Sequence, residues 1–102
     1  MIAALLTSFP IFSQTVMLSG KVIDNGNQEA LYGVNIIIKN ANELLTDSKQ
    51  LGTTTDFDGN YKIALYPGTY NVKFVYIGYE EIEKTVELIV GNAVKLDVEI
   101  GQ

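Results

Sequence analysis

Four stretches of the chain alternate apolar and polar residues with a period of two. Val34, Ile36 and Ile38 interleave with Asn35, Ile37 and Lys39, and Tyr61, Ile63 and Leu65 interleave with Asn60, Lys62 and Ala64. Tyr70, Val72, Phe74 and Tyr76 alternate with Asn71, Lys73 and Val75, and Val94, Leu96, Val98 and Ile100 alternate with Ala93, Lys95, Asp97 and Glu99. Successive side chains of a strand point to opposite faces, so this pattern predicts strands with one face in a core. The β-branched and aromatic content of the apolar set agrees with that reading. Residues 17–23, 51–56 and 82–90 predict three further strands with less regular alternation, which makes seven.

Turn chemistry separates these stretches. Asp56-Phe57-Asp58-Gly59 suits a type I turn with Gly59 at positive φ, closing a hairpin. Tyr66-Pro67-Gly68-Thr69 places Pro67 and Gly68 where a type II turn needs them. Asp24-Asn25-Gly26-Asn27 is a third turn. Residues 40–50 show no period of two and predict a loop, with a single helical turn at 42–45 as the alternative. Gly20, Gly33 and Gly78 are expected at bulges or close crossings where a side chain would not fit.

Lys62, Lys73, Lys84 and Lys95 recur every 11 residues. Strand-plus-turn units of 8–12 residues would place one lysine at a similar phase in each, so an internal repeat is not needed. Lys84 breaks the rule. It shares its parity with Ile82 and Val86 and would point inward, which predicts irregular pairing or an open strand there.

The N-terminus is different in kind. The first charged residue is Lys21, and residues 1–12 are almost wholly apolar before Ser13, Gln14 and Thr15. That run is shorter than the roughly 20 residues a membrane helix needs. It fits the apolar region of a secretory signal peptide ending near residue 13, and the alternative is a buried first strand or an apolar tail. Residues 17–100 then form one domain.

Composition narrows the chemistry. The 102 residues are 47% hydrophobic, enough for a packed core in one domain, and there is neither histidine nor cysteine. These absences exclude Ser-His-Asp and Cys-His catalysis, disulfides and thiolate or imidazole metal sites. The net charge of −5, with lysine as the only cation, argues against nucleic acid as a partner. Asp56, Asp58 and Asn60 sit at alternate positions, as at the start of a calcium loop. Positions six and twelve of such a loop would be Tyr61 and Pro67 rather than glycine and glutamate, so the residues read as a structural turn. Glu80, Glu81, Glu83 and Glu87 form an acidic group, read as a solvated strand face rather than a glycosidase pair. Tyr61 and Tyr70 are expected in the core. Tyr76, Ile77 and Tyr79 are the candidate contact surface, with Tyr79 alternatively capping one end of the fold. No catalytic residue, cofactor or metal is assigned.

Six short motifs then occur in order: Gly20-Lys21-Val22-Ile23-Asp24, Leu31-Tyr32-Gly33-Val34-Asn35-Ile36, Gly52-Thr53-Thr54-Thr55-Asp56, Asp58-Gly59-Asn60-Tyr61, Pro67-Gly68-Thr69-Tyr70 and Tyr76-Ile77-Gly78-Tyr79-Glu80. In this order and spacing the chain resembles the carboxypeptidase-regulatory-like domain, a transthyretin (prealbumin)-like sandwich. The Tyr-Ile-Gly-Tyr segment resembles the N-terminal extension of TonB-dependent outer-membrane receptors. The resemblance implies an all-β, seven-stranded Greek-key β-sandwich without catalysis. It implies a module exported to the periplasm or outer membrane of a Gram-negative cell, touching the membrane only indirectly. Its partner would be a protein or a downstream receptor domain, with a glycan held by exposed tyrosines as the alternative.

Overall fold

The computed structural model describes residues 14–41 and 51–102. The leader expected at residues 1–13 and the single helical turn considered at 42–45 lie outside the described residues. Among the described residues, eight strand segments form two four-stranded sheets. The first sheet contains β1 (Val16–Asp24), β4 (Asn60–Leu65), β7 (Val94–Lys95) and β8 (Val98–Ile100). The second runs in the order β3 (Leu51–Thr54), β2 (Asn35–Asn40), β5 (Gly68–Val75), β6 (Ile82–Leu88). The chain crosses between the sheets four times, after β1, β3, β4 and β6, as a Greek-key sandwich does.

The residues facing inward are those the alternation selects. Val34, Ile36, Ile38, Tyr61, Leu65, Tyr70, Val72, Phe74, Val98 and Ile100 are all buried, joined by Val16, Leu18, Val22 and Leu88. Each fully buried side chain of this kind contributes about 1.5–3 kcal/mol relative to exposure. The Tyr61 and Phe74 rings pack edge to face with centroids 5.8 Å apart, a favoured aromatic geometry. The Tyr61 hydroxyl donates to the Leu96 carbonyl at 2.6 Å and the Tyr70 hydroxyl to the Tyr66 carbonyl at 2.8 Å. Each buried ring is therefore anchored through its polar end. Burial, followed by the charge of Asp97, pushes the Tyr61 hydroxyl well above the usual tyrosine range.

The strand expected over residues 94–100 is interrupted. β7 pairs in parallel with β1 at Leu18 and Ser19, and β8 pairs with it at Val22 to Asp24. Between them the Leu96 carbonyl turns toward Gly20 and accepts from Tyr61, while the Lys21 amide donates to the Asp97 carboxylate at 2.9 Å. A side-chain oxygen thus takes over at the break in the ladder. Counting β7 and β8 as one interrupted strand restores the expected seven.

One turn differs from expectation in what it joins, and another in its backbone conformation. The Gly59 amide donates to the Asp56 carbonyl at 2.9 Å, and Gly59 has φ +79°. The turn forms as read, yet β3 and β4 belong to different sheets, so it is a crossover rather than the closure of a hairpin. The Pro67-Gly68 link likewise carries the chain from β4 in one sheet to β5 in the other. Gly68 has φ +153°, where a type II turn would need about +80°. It opens β5 opposite Leu88.

The irregularity expected at Lys84 does not take the form of a bulge. β6 pairs with β5 residue by residue from Phe74↔Ile82 to Gly68↔Leu88. Lys84 lies opposite buried Val72 but is itself exposed, because β6 is an edge strand. An inward-pointing charge on such a strand discourages pairing with another chain.

Candidate functional site

Register gathers the loops at one end of the sandwich. Asn35 pairs with both Thr54 and Val75, Phe74 pairs with Ile82, and Lys21 pairs with Asn60. The connections at residues 25–34, 55–59 and 76–81 therefore emerge together, and Ile100 ends beside Asp24.

Asp24 organises the base of this end. It is buried, and its Oδ1 accepts from the Gly26 and Asn27 amides at 2.6 and 3.2 Å. Its Oδ2 accepts from the Tyr79 hydroxyl at 2.6 Å, and the Gln102 amide donates to that hydroxyl at 3.1 Å. The Tyr79 hydrogen bond, followed by the Gly26 amide, holds the Asp24 carboxyl below the usual carboxylate range. The same hydrogen bond pushes the Tyr79 hydroxyl up. The Asn25 amide donates to the Ile100 carbonyl and the Glu80 amide to the Gly101 carbonyl, so three chain segments are tied at one point.

This arrangement carries a pH prediction. A carboxyl whose folded value is depressed contributes stability above its unfolded value, about 4, and loses that contribution as pH falls through the folded value. Asp24→Asn is therefore expected to melt below wild type between pH 5 and 8, with the gap closing as pH is lowered toward 2. Thermal melts across that range check it, and a gap independent of pH would contradict the assignment.

Thr55 fastens the next layer. It is buried, its Oγ1 accepts from the Val34 amide at 2.9 Å and its hydroxyl donates to the Leu31 carbonyl at 2.6 Å. In the turn that follows, Asp56 Oδ1 accepts from the amides of Asp58 and Asn60, both at 2.9 Å. Asp56 and Gly59 thus shape the turn, while Asp58 and Phe57 project from it.

The three residues of the candidate surface separate. Tyr76 and Tyr79 are half-buried against the core, with ring centroids 5.3 Å apart. Ile77 is 91% exposed. Tyr79 is the end cap that the sequence offered as its alternative role. Phe57 is 79% exposed and Tyr32 54%, and their rings stack 4.2 Å apart at an interplanar angle of 12°. This pair escaped the sequence reading, which quoted both residues only inside motifs. An apolar residue in the middle of an Asp-x-Asp-Gly turn was the available signal, because the turn itself has no use for the ring.

The acidic group singled out by the sequence is divided between two places, Glu80 and Glu81 in the 76–81 connection and Glu83 and Glu87 on β6. Glu81, Glu83 and Glu87 are exposed, and Glu81 lies 3.9 Å from the exposed Lys73 ammonium, a pairing worth little in water. One broad open depression of about 630 Å³ runs along Asn35 to Ile37 and Leu51 to Thr54. No titratable side chain lines it among the described residues.

Comparison with solved structures identifies this architecture as a recurrent β-sandwich. A group B streptococcus pilus 2b backbone protein superposes with a TM-score of 0.66 at 23% identity, over 85% of this chain and 41% of that one. The Bacillus anthracis TIE protein gives 0.71 at 22% identity, over 87% and 17%. A 3-chlorocatechol 1,2-dioxygenase from Rhodococcus opacus gives 0.66 at 12%, over 87% and 60%. Likeness at these identities is a likeness of fold alone. Residues 18–101 match the family model of the CarboxypepD_reg-like domain, and the chain belongs to that family. The TonB-dependent receptor SusC of Bacteroides thetaiotaomicron is 31% identical over 100 residues, covering 98% of this chain and 9% of that protein. The TonB-dependent receptor P3 of Formosa agariphila is 33% identical over 94 residues, covering 92% and 8%. The chain spans less than a tenth of the length of these receptors.

Proposed function

We propose that this chain is a non-catalytic accessory domain working by protein contact at the periplasmic side of a TonB-dependent outer-membrane uptake system. The observation that carries the reading is the family match over residues 18–101, together with receptor relatives that align along nearly the whole chain. The loop end supports contact rather than catalysis. Its most constrained polar groups, Asp24, Thr55, Asp56 and Tyr79, bond to the chain's own backbone and side chains. Its most exposed large hydrophobic side chains are Phe57 and Ile77. Because Tyr79 commits its hydroxyl to Asp24 and packs its ring beside Tyr76, protein contact is favoured over sugar stacking at that position. Residues 1–13 act as the export leader in this account.

Fractionation of the native host tests the proposal. A tagged copy is expected in the cell envelope, joined to or co-purifying with an outer-membrane receptor polypeptide and lacking residues 1–13. Recovery of the intact chain from the cytosol, free of receptor, would contradict it.

A further inference from the structure

The Tyr32 and Phe57 rings stack on each other and yet remain exposed. Phe57 is four-fifths exposed, and the turn beneath it is held by Asp56 and Gly59. Two stacked rings that both stay exposed form a small contiguous apolar patch open to a partner. The charges around it select what it contacts. Among the described residues, the loops at 25–34, 55–59 and 76–81 carry Glu29, Asp56, Asp58, Glu80 and Glu81 and no lysine. All six described lysines lie on strands, at Lys21, Lys39, Lys62, Lys73, Lys84 and Lys95. Asp56 and Asp58 flank Phe57 directly in the chain. The loop bearing Tyr32 is seated on the same turn, since the Gly33 amide donates to the Thr55 carbonyl at 3.1 Å. The end of the sandwich thus presents aromatic faces within an acidic rim.

We infer that the Tyr32–Phe57 slab docks an arginine-bearing segment of a partner protein. A guanidinium is planar, weakly hydrated and permanently charged, so it lies flat on an aromatic face while its edge donates to carboxylates. Phe57 offers the outer ring face, Tyr32 backs it at 4.2 Å, and Asp58 and Glu29 supply acceptors at the rim. The acidic rim also repels acidic partners and speeds the approach of basic ones. This names the partner chemistry of the contact role proposed above and rests on that role.

The probe is a peptide alternating arginine with glycine, titrated into isotope-labelled protein at low salt and followed by amide chemical shifts. Shifts confined to residues 28–33 and 55–60 are expected, weakening as salt is raised. Phe57→Ala is expected to weaken binding about fivefold, as loss of an exposed cation–π contact implies. Asp58→Asn should weaken it less and flatten the salt dependence. Both variants alter exposed side chains and should keep the wild-type spectrum elsewhere. Equal binding of the same peptide with citrulline in place of arginine would overturn the cationic partner. So would maltohexaose moving these amides while the peptide does not. Silence toward the peptide from protein that still co-purifies with a receptor overturns this inference alone. Silence with loss of the receptor overturns the contact role as well.

Discussion

Gly59→Val is expected to destabilise the domain by roughly 2–5 kcal/mol, combining strain at a left-handed backbone position with overpacking. Gly59 has φ +79°, where a β-branched residue is strongly disfavoured. Space is also lacking: a Cβ there would stand 2.8 Å from the Val22 carbonyl oxygen and 3.0 Å from the Ala30 side chain. That carbonyl belongs to β1, and the Gly59 carbonyl in turn accepts from the Val22 amide at 2.9 Å. The turn cannot withdraw without releasing the central strand. Melting should fall by at least 8 °C at about 4–8 °C per kcal/mol. Asp58→Ala is the control and should change stability by less than about 0.5 kcal/mol, because only its backbone amide is used. A melting temperature raised by calcium, and no longer raised in Asp58→Ala, would contradict the structural reading of this turn.

Gly20→Ala is the second large effect, and its cause is space alone. A Cβ at residue 20 would lie 1.9 Å from the Leu96 carbonyl oxygen and 2.9 Å from the Tyr61 ring. Since the Leu96 oxygen is backbone, β1 and the β7–β8 edge must separate. The separation strains the Tyr61 hydroxyl bond to that same oxygen. Overpacking together with the weakened bond is expected to cost roughly 2–4 kcal/mol. Gly78→Ala is the informative contrast, because nothing lies within 4 Å of a Cβ there and only φ +86° opposes it. It should cost about 1–2 kcal/mol, the backbone strain alone. Comparable losses at the two sites would show that Gly20 is not a close crossing.

These glycines also show what the sequence made legible. Period-two alternation found the inward faces of β2, β4 and β5 because their inward positions are occupied by large apolar residues. β1 read as irregular because two of its inward positions hold Gly20 and Asp24, one vacated for the Leu96 carbonyl and the other for a hydrogen-bond cluster. Neither requirement is local, so neither has a local signature. The break between β7 and β8 was hidden for the same reason: Leu96 and Asp97 continue the alternation, while the Leu96 carbonyl goes to the Tyr61 hydroxyl and the Asp97 side chain takes the Lys21 amide. Of the three glycines expected to lack room for a side chain, only Gly20 is crowded. Gly33 and Gly78 are retained by positive φ. Turn residues were readable one by one, but which sheet each turn leads to was not, since that is decided by strands far away in sequence.

The candidate surface was legible in part. Tyr-Ile-Gly-Tyr drew attention to the loop end of the sandwich and to Ile77, which is exposed there. Parity could not show that Tyr79 would reach across 55 residues of sequence to Asp24. Phe57 and Tyr32 meet only because the first and second sheet crossovers emerge side by side with their loops in register.

Photo-crosslinking in the native host tests the central claim, contact through the loop end, most directly. A benzophenone amino acid is placed at Ile77, which is almost fully exposed, and separately at Glu87 on the exposed edge strand toward the opposite end. The account predicts a discrete crosslink from residue 77 to a protein of the outer-membrane uptake system, and none of comparable yield from residue 87. Equal labelling from both positions, or crosslinks from residue 77 to glycan alone, would contradict it.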